Sequence, residues 1–159
     1  MDWVNNEGEN MKKKIPKFKR LNTQLEATGA EYLVLGELLR RRIQAFITSQ
    51  NFEAYDIVAV NPKYNKAVKI QVKSRFGKKE LAFPITKLDT HFVIFVKLNI
   101  ERISENSFNY PEPPEMFVLP INVVKKYRRE AGWKKVIFKK EILKEYRDRW
   151  DLIKKELKL

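Results

Sequence analysis

The sequence predicts a single α/β domain with a mixed central sheet flanked by helices. A long helical repeat of apolar residues stands near the N-terminus, two β-rich runs flank a strong turn signal, and further apolar runs give way to helical spacing towards the C-terminus. The 159 residues suit one domain of roughly 100–200 residues, and 43% apolar with 12% aromatic residues is core material rather than a disordered basic tail.

Residues 1–20 are expected to form a flexible basic arm and 21–159 the folded domain. Segments 1–10, 11–20, 21–120 and 121–159 carry −3, +6, +2 and +8, so the net +13 is concentrated at the two ends. Lys12, Lys13 and Lys14, with Lys17, Lys19 and Arg20, have no acidic neighbour and little apolar periodicity. That suits an arm lying along phosphates, and equally a solvated leader.

From 25 to 46 the chain reads as one long helix, with Leu35, Leu38, Leu39 and Ile43 at helical spacing and Arg40, Arg41 and Arg42 near its C-terminal end. Two capping boxes compete for its start, Thr23-x-x-Glu26 and Thr28-x-x-Glu31. Runs at 55–60 and 67–73 flank Asn61-Pro62-Lys63-Tyr64-Asn65-Lys66 and predict a hairpin. A short stretch at 81–85 precedes 91–98, the most apolar run and the expected central strand. A proline-rich loop then leads to a strand at 116–119, stopped by Pro120. Helices are expected at 121–129 and 141–157, the second carrying Ile142, Tyr146, Trp150, Ile153 and Leu157 as one buried stripe. No repeat and no Gly/Ser linker divides the chain.

Composition removes several functions. The absence of cysteine excludes a thiol nucleophile, disulfides and Cys-based zinc sites. A single histidine, His91, removes nearly all His-based metal sites and most catalytic triads, so a catalytic metal must sit on oxygen ligands. Five scattered glycines build neither a GxGxxG nor a Walker loop, which excludes the usual nucleotide cofactors. No apolar run reaches the ~20 residues of a membrane span, and the first residues are acidic where a signal peptide is basic, so the expected address is cytoplasmic, away from membranes. The charge of +13 favours a polyanion, most often nucleic acid, although a Lys/Glu-rich thermophile surface gives a similar count.

The middle of the chain is nearly neutral and carries the chemistry. In the second hairpin strand Val68, Ile70 and Val72 face one way and Lys69, Gln71 and Lys73 the other. A turn centred between Lys63 and Tyr64 places Asp56 opposite Gln71. A carboxylate, an amide oxygen and an ammonium then converge at one end of the hairpin.

This arrangement resembles the PD-(D/E)XK nuclease superfamily. The matching residues are Asp56 at the head of one strand, Gln71-Val72-Lys73-Ser74 on the next, and Glu31 on the preceding helix, followed by Val34 and Leu38 at the spacing seen in archaeal Holliday-junction resolvases. The resemblance covers residues 28–76, and 117–120 and 150–153 are similar to segments of small members with a QxK variant motif. Tyr55 stands where the name-giving proline would be, and Gln71 where Asp or Glu is usual, as in some small intron-homing nucleases.

The resemblance implies a restriction-endonuclease-like fold and a metal-dependent endonuclease that hydrolyses DNA. It makes Asp56, Gln71 and Glu31 ligands for Mg²⁺ or Mn²⁺, and Lys73 the residue that orients the attacking water, with 5′-phosphate and 3′-hydroxyl products. Glu37 is the reserve for Glu31. Candidate nucleic-acid contacts are Lys12, Lys13, Lys14, Arg40, Arg41, Arg75, Lys78 and Lys79. Cutting a duplex needs two sites, which favours a homodimer or larger symmetric assembly. Two other readings stay open: a catalytically inactive nucleic-acid-binding protein on the same fold, which the uncharged Gln71 would suit, and a basic RNA-binding protein, which the charge and size would suit.

Overall fold

Helix α1 (Gln24–Arg40) starts from Thr23, whose carbonyl accepts the Ala27 N–H at 3.0 Å, so the upstream of the two possible starts is the one used. It buries Ala30, Val34 and Leu38 at a spacing of four. The helix ends short of the expected 46. Arg42 takes a left-handed φ of 63°, its N–H donates to Leu39 O at 2.9 Å, and Ile43 N–H donates to Leu38 O at 3.0 Å. This is a Schellman stop, with Ile43 and Leu38 buried together in the core. The residues after it, Gln44–Ile47, form strand β1 instead of further helix. The computed structural model describes residues 18–49 and 54–159. Lys12, Lys13, Lys14 and most of the expected basic arm lie outside that range. At its described end the Phe18 ring lies 4.9 Å from the Arg102 guanidinium, and Lys19 N–H donates to Glu105 at 2.9 Å.

Strands β2 (Ile57–Asn61) and β3 (Lys66–Arg75) form the expected hairpin, paired Ile57 with Ile70 and Asn61 with Lys66, in the register that the turn position predicts. Pro62–Tyr64 makes a 3-10 turn closed by Asn65 in the left-handed region. Two short strands, β4 (Ala82–Pro84) and β9 (Lys135–Ile137), pair with each other, as do β6 (Glu101–Ser104) and β7 (Ser107–Asn109). Strand β5 (Phe92–Lys97) runs parallel to β3 and antiparallel to β8 (Glu115–Pro120), giving a five-stranded sheet of order β1-β2-β3-β5-β8. With neighbours on both sides, β5 is buried along its whole length. Helix α2 (Ile121–Tyr127) follows β8 directly.

The C-terminal helix expected at 141–157 is two helices, α3 (Lys140–Lys144) and α4 (Trp150–Leu157). Between them Tyr146 O accepts the Val118 N–H at 2.9 Å and Asp148 N–H donates to Met116 O at 3.0 Å. The intervening turn caps the open edge of β8, and its bonds to β8 replace helix bonds. Asp148, at φ 52°, turns the chain back into helix. The predicted apolar stripe is therefore divided between the two faces of the sheet. Trp150, Ile153 and Leu157 join Ala30, Val34 and Leu38 beneath β2, β3 and β5, while Ile142 and Tyr146 pack with Phe83, Phe95, Phe117 and Phe138 on the other face. This second layer covers the β5 and β8 half of the sheet. The adjoining face of β2 and β3, with Val58, Val60, Lys69 and Lys73, stays half-buried.

Candidate active site

The site forms where β2 and β3 part. Their ladder ends at Ile57 and Ile70; just beyond it the Asp56 N–H donates to Ile70 O at 2.9 Å, and Asp56 Oδ2 accepts the Val72 N–H at 2.6 Å. The carboxylate thus takes an amide that a continuing strand would have used. From the other side Thr48, just after β1, fixes the same residue: its N–H donates to Asp56 O at 2.8 Å and its hydroxyl donates to Tyr55 O at 3.0 Å. Nothing in the sequence marks Thr48, because it follows a strand that the helical pattern conceals.

Glu31 projects from the middle of α1. With the helix beginning at Gln24, Thr28 lies in the second turn and caps nothing with Glu31; its hydroxyl accepts from Gln24 Nε2 at 3.5 Å. Glu31 and Asp56 line one open cleft of about 490 Å³, along with Thr28, Tyr32, Thr48 and Ser49. Both carboxyls are held above the usual carboxylate range. For Glu31 the first cause is burial and the second the charge of Asp56; for Asp56 burial outweighs the Val72 hydrogen bond and the charge of Lys73. Lys73 is pushed below the usual ammonium range, first by burial and then, against the pull of Asp56, by Arg75. Gln71 is 7% exposed, and its Oε1 is buried without a hydrogen-bond partner among the described residues.

These observations bear on a metal. Two carboxyls whose pKa burial raises, and a buried amide oxygen without a partner among the described residues, are oxygen donors of the kind a hard divalent cation takes. Among the described residues no group of three or more His, Cys, Asp or Glu is placed to hold a metal ion.

Glu37, the reserve, points elsewhere: its carboxylate pairs with Arg40 at 3.0 Å and with Arg41, which hold it below the usual range. Arg41 also donates to Glu37 O at 3.1 Å and lies 4.8 Å from the Trp150 ring, half-buried in the α1–α4 contact. Arg75 donates from Nε to Ala82 O at 2.9 Å, and Lys78 pairs with Glu112 at 2.5 Å. Lys79 is exposed beside it. His91 accepts the Lys69 N–H at Nδ1, 2.9 Å, outside the donor set. The sequence reading missed Lys97, Lys140 and Lys144, which gather around a second cleft. Lys97 ends an apolar run and so passes for core.

No family model matches the chain, and no curated protein does. Comparison with solved structures does place the fold: it is restriction-endonuclease-like, a mixed sheet with the acidic strand head and the Q-x-K strand adjacent. The bacterial homing endonuclease I-Ssp6803I is similar over 86% of this chain and 92% of its own, with a TM-score of 0.54 and 18% identity. The Holliday junction resolvase Hjc of Archaeoglobus fulgidus is similar over 80% of this chain and 94% of its own, with a TM-score of 0.50 and 16% identity. Among the described residues no helix is long and apolar enough to cross a membrane.

Proposed function

We propose that this protein is a metal-dependent endonuclease hydrolysing DNA phosphodiester bonds, with Asp56, Glu31, Gln71 and Lys73 as its active site and Mg²⁺ or Mn²⁺ as its cofactor. The observation that carries the reading is the buried Gln71 Oε1, without a partner among the described residues, on the strand that pairs with Asp56, whose carboxyl also feels the charges of Glu31 and Lys73, on a nuclease fold. Asp56, Glu31 and the Gln71 oxygen would hold the cation, and a divalent cation there supplies the positive charge that polarises a phosphoryl oxygen. Lys73, partly buried and close enough to Asp56 to feel its charge, would bring an ammonium to the same place. There it orients a water for in-line attack and offsets the negative charge that grows on phosphorus. Its lowered pKa makes its proton easier to exchange during the reaction. A two-fold dimer is the economical way to present two such sites to a duplex.

A binding protein that keeps the fold but lacks catalysis is the competing reading, favoured by the missing third acid. Incubation with supercoiled, linear and four-way-junction DNA, each with Mg²⁺, Mn²⁺ or EDTA, separates the two. The nuclease reading expects cleavage with either metal, none in EDTA, and a loss of about 10²-fold or more in Lys73→Ala. DNA binding without cleavage in any metal favours the binder, and cleavage that survives in EDTA or in the variant overturns the assignment.

A further inference from the structure

Lys97 closes β5 with 7% of its surface exposed, its ammonium 5.5 Å from the Phe117 ring. Across the sheet it is in register with Glu115, but that carboxylate is committed to Arg147 at 3.2 Å and to Asn99 Nδ2 at 3.3 Å. Around Lys97 opens a cleft of about 660 Å³. Its two acids, Glu112 and Glu115, are each paired with a cation, Lys78 and Arg147. Lys79, Lys97, Lys140 and Lys144 form no ion pair among the described residues.

A lysine buried among like charges is poorly solvated and repelled by its neighbours, and an anion is the simplest group that relieves both. Burial, then Lys140, Arg147 and Lys78 against the pull of Glu115, lower the pKa of Lys97, which agrees with a site short of negative charge. The surplus of four cations exceeds what one monoanion could match and suits a run of backbone phosphates, each carrying one negative charge. The position is specific too. Alternation puts Gln71, Lys73 and Arg75 on one face of β3, and Arg75 is in register with Lys97 on β5. One strand spacing and two residues of rise separate Lys73 from Lys97, about 8 Å between their Cα atoms.

We infer that the Lys97 cleft is a second phosphodiester seat, taking backbone phosphates of the same nucleic-acid strand next to the one held at Asp56 and Lys73. The inference rests on the nuclease reading for its choice of strand, so the test reads binding apart from cleavage. A short labelled duplex is titrated with the full chain in EDTA over a range of NaCl, and the slope of log affinity against log salt is compared between variants. Each phosphate contact contributes about 0.9 to that slope on duplex DNA. Lys140→Gln with Lys144→Gln is expected to reduce it by about 1–2, and Lys97→Met by about 1. Lys154→Gln with Lys155→Gln removes the same charge from α4 on the other layer and is expected to leave the slope at the wild-type value.

An unchanged slope in the α3 double variant, or an equal loss in the α4 control, overturns the seat. Should Lys97→Met fail to fold, the α3 variant alone decides. In a parallel arm a nucleoside triphosphate is titrated into the wild type, and no saturable binding is expected. Saturable binding that disappears in the α3 variant would assign the cleft to a free nucleotide and overturn the strand. Absence of cleavage with Mn²⁺ while the slopes behave as expected would sink the nuclease reading alone, and wild-type protein that binds no DNA sinks both.

Discussion

Substituting Gln71→Glu restores the acid usual in this motif and tests whether the site is organised around a cation. The side chain at 71 is buried, and in the hairpin register it stands opposite Asp56. Directly opposed Cβ atoms in an antiparallel pair lie ~5 Å apart, and at an effective dielectric of ~20 two like charges at that distance repel by about 3 kcal/mol. For a domain of this size that is a fall in Tm of roughly 6–12 °C. The penalty is largest above the raised carboxyl range, where protonating one carboxyl no longer relieves it. With a cation present the penalty shrinks, because the added charge strengthens the donor set; a site bound tenfold tighter gains about 1.4 kcal/mol at saturating metal, which offsets about half of the repulsion. The assay is thermal unfolding in EDTA and in Mn²⁺. Gln71→Met serves as the opposite control, since it removes the orphaned oxygen and should stabilise the metal-free protein while abolishing its response to Mn²⁺. A glutamate variant as stable as wild type in EDTA, or one that Mn²⁺ raises no more than wild type, refutes the reasoning.

Three further outcomes are expected. Asp56 and Glu31 bind their protons more tightly folded than unfolded, so the stability they contribute is present at low pH and is lost as pH rises through their raised folded values. Melting in EDTA should therefore show this loss just above the ordinary carboxylate range, smaller in Asp56→Asn and offset by Mn²⁺ in wild type only; a Mn²⁺ response retained by Asp56→Asn would show that the metal binds elsewhere. Arg42→Gly removes a side chain from a left-handed position and should raise stability by up to about 1 kcal/mol in urea unfolding, whereas a loss would show that the arginine holds the helix stop by its side chain. Trp150→Ala empties a 3% exposed core position under the Arg41 guanidinium and should cost about 3–5 kcal/mol, read from the same unfolding curves; a cost under about 1 kcal/mol would mean that α4 contributes little to the core.

The candidate site was legible because its information is local. Strand alternation and one turn determine which side chains share a face, and neither depends on the rest of the chain: the position of Lys63 and Tyr64 already put Asp56 opposite Gln71. The elements that escaped the sequence are those whose secondary structure is decided at a distance. Arg42 ends α1 without the glycine that normally signals a Schellman stop, so the helical spacing of Leu38, Leu39 and Ile43 runs on unmarked into β1. What overrides it is pairing of Gln44–Ile47 with β2, which no local propensity records. The break between α3 and α4 has the same origin, since the chain leaves helical geometry to bond with the edge of β8. Both errors concealed parts of the site. The unrecognised β1 leads to Thr48, which fixes Asp56, and α3, freed from α4 by the break, brings Lys140 and Lys144 to Lys97. The candidate groups are thus read from a pattern, while the residues that fix and surround them depend on contacts between segments far apart in the chain.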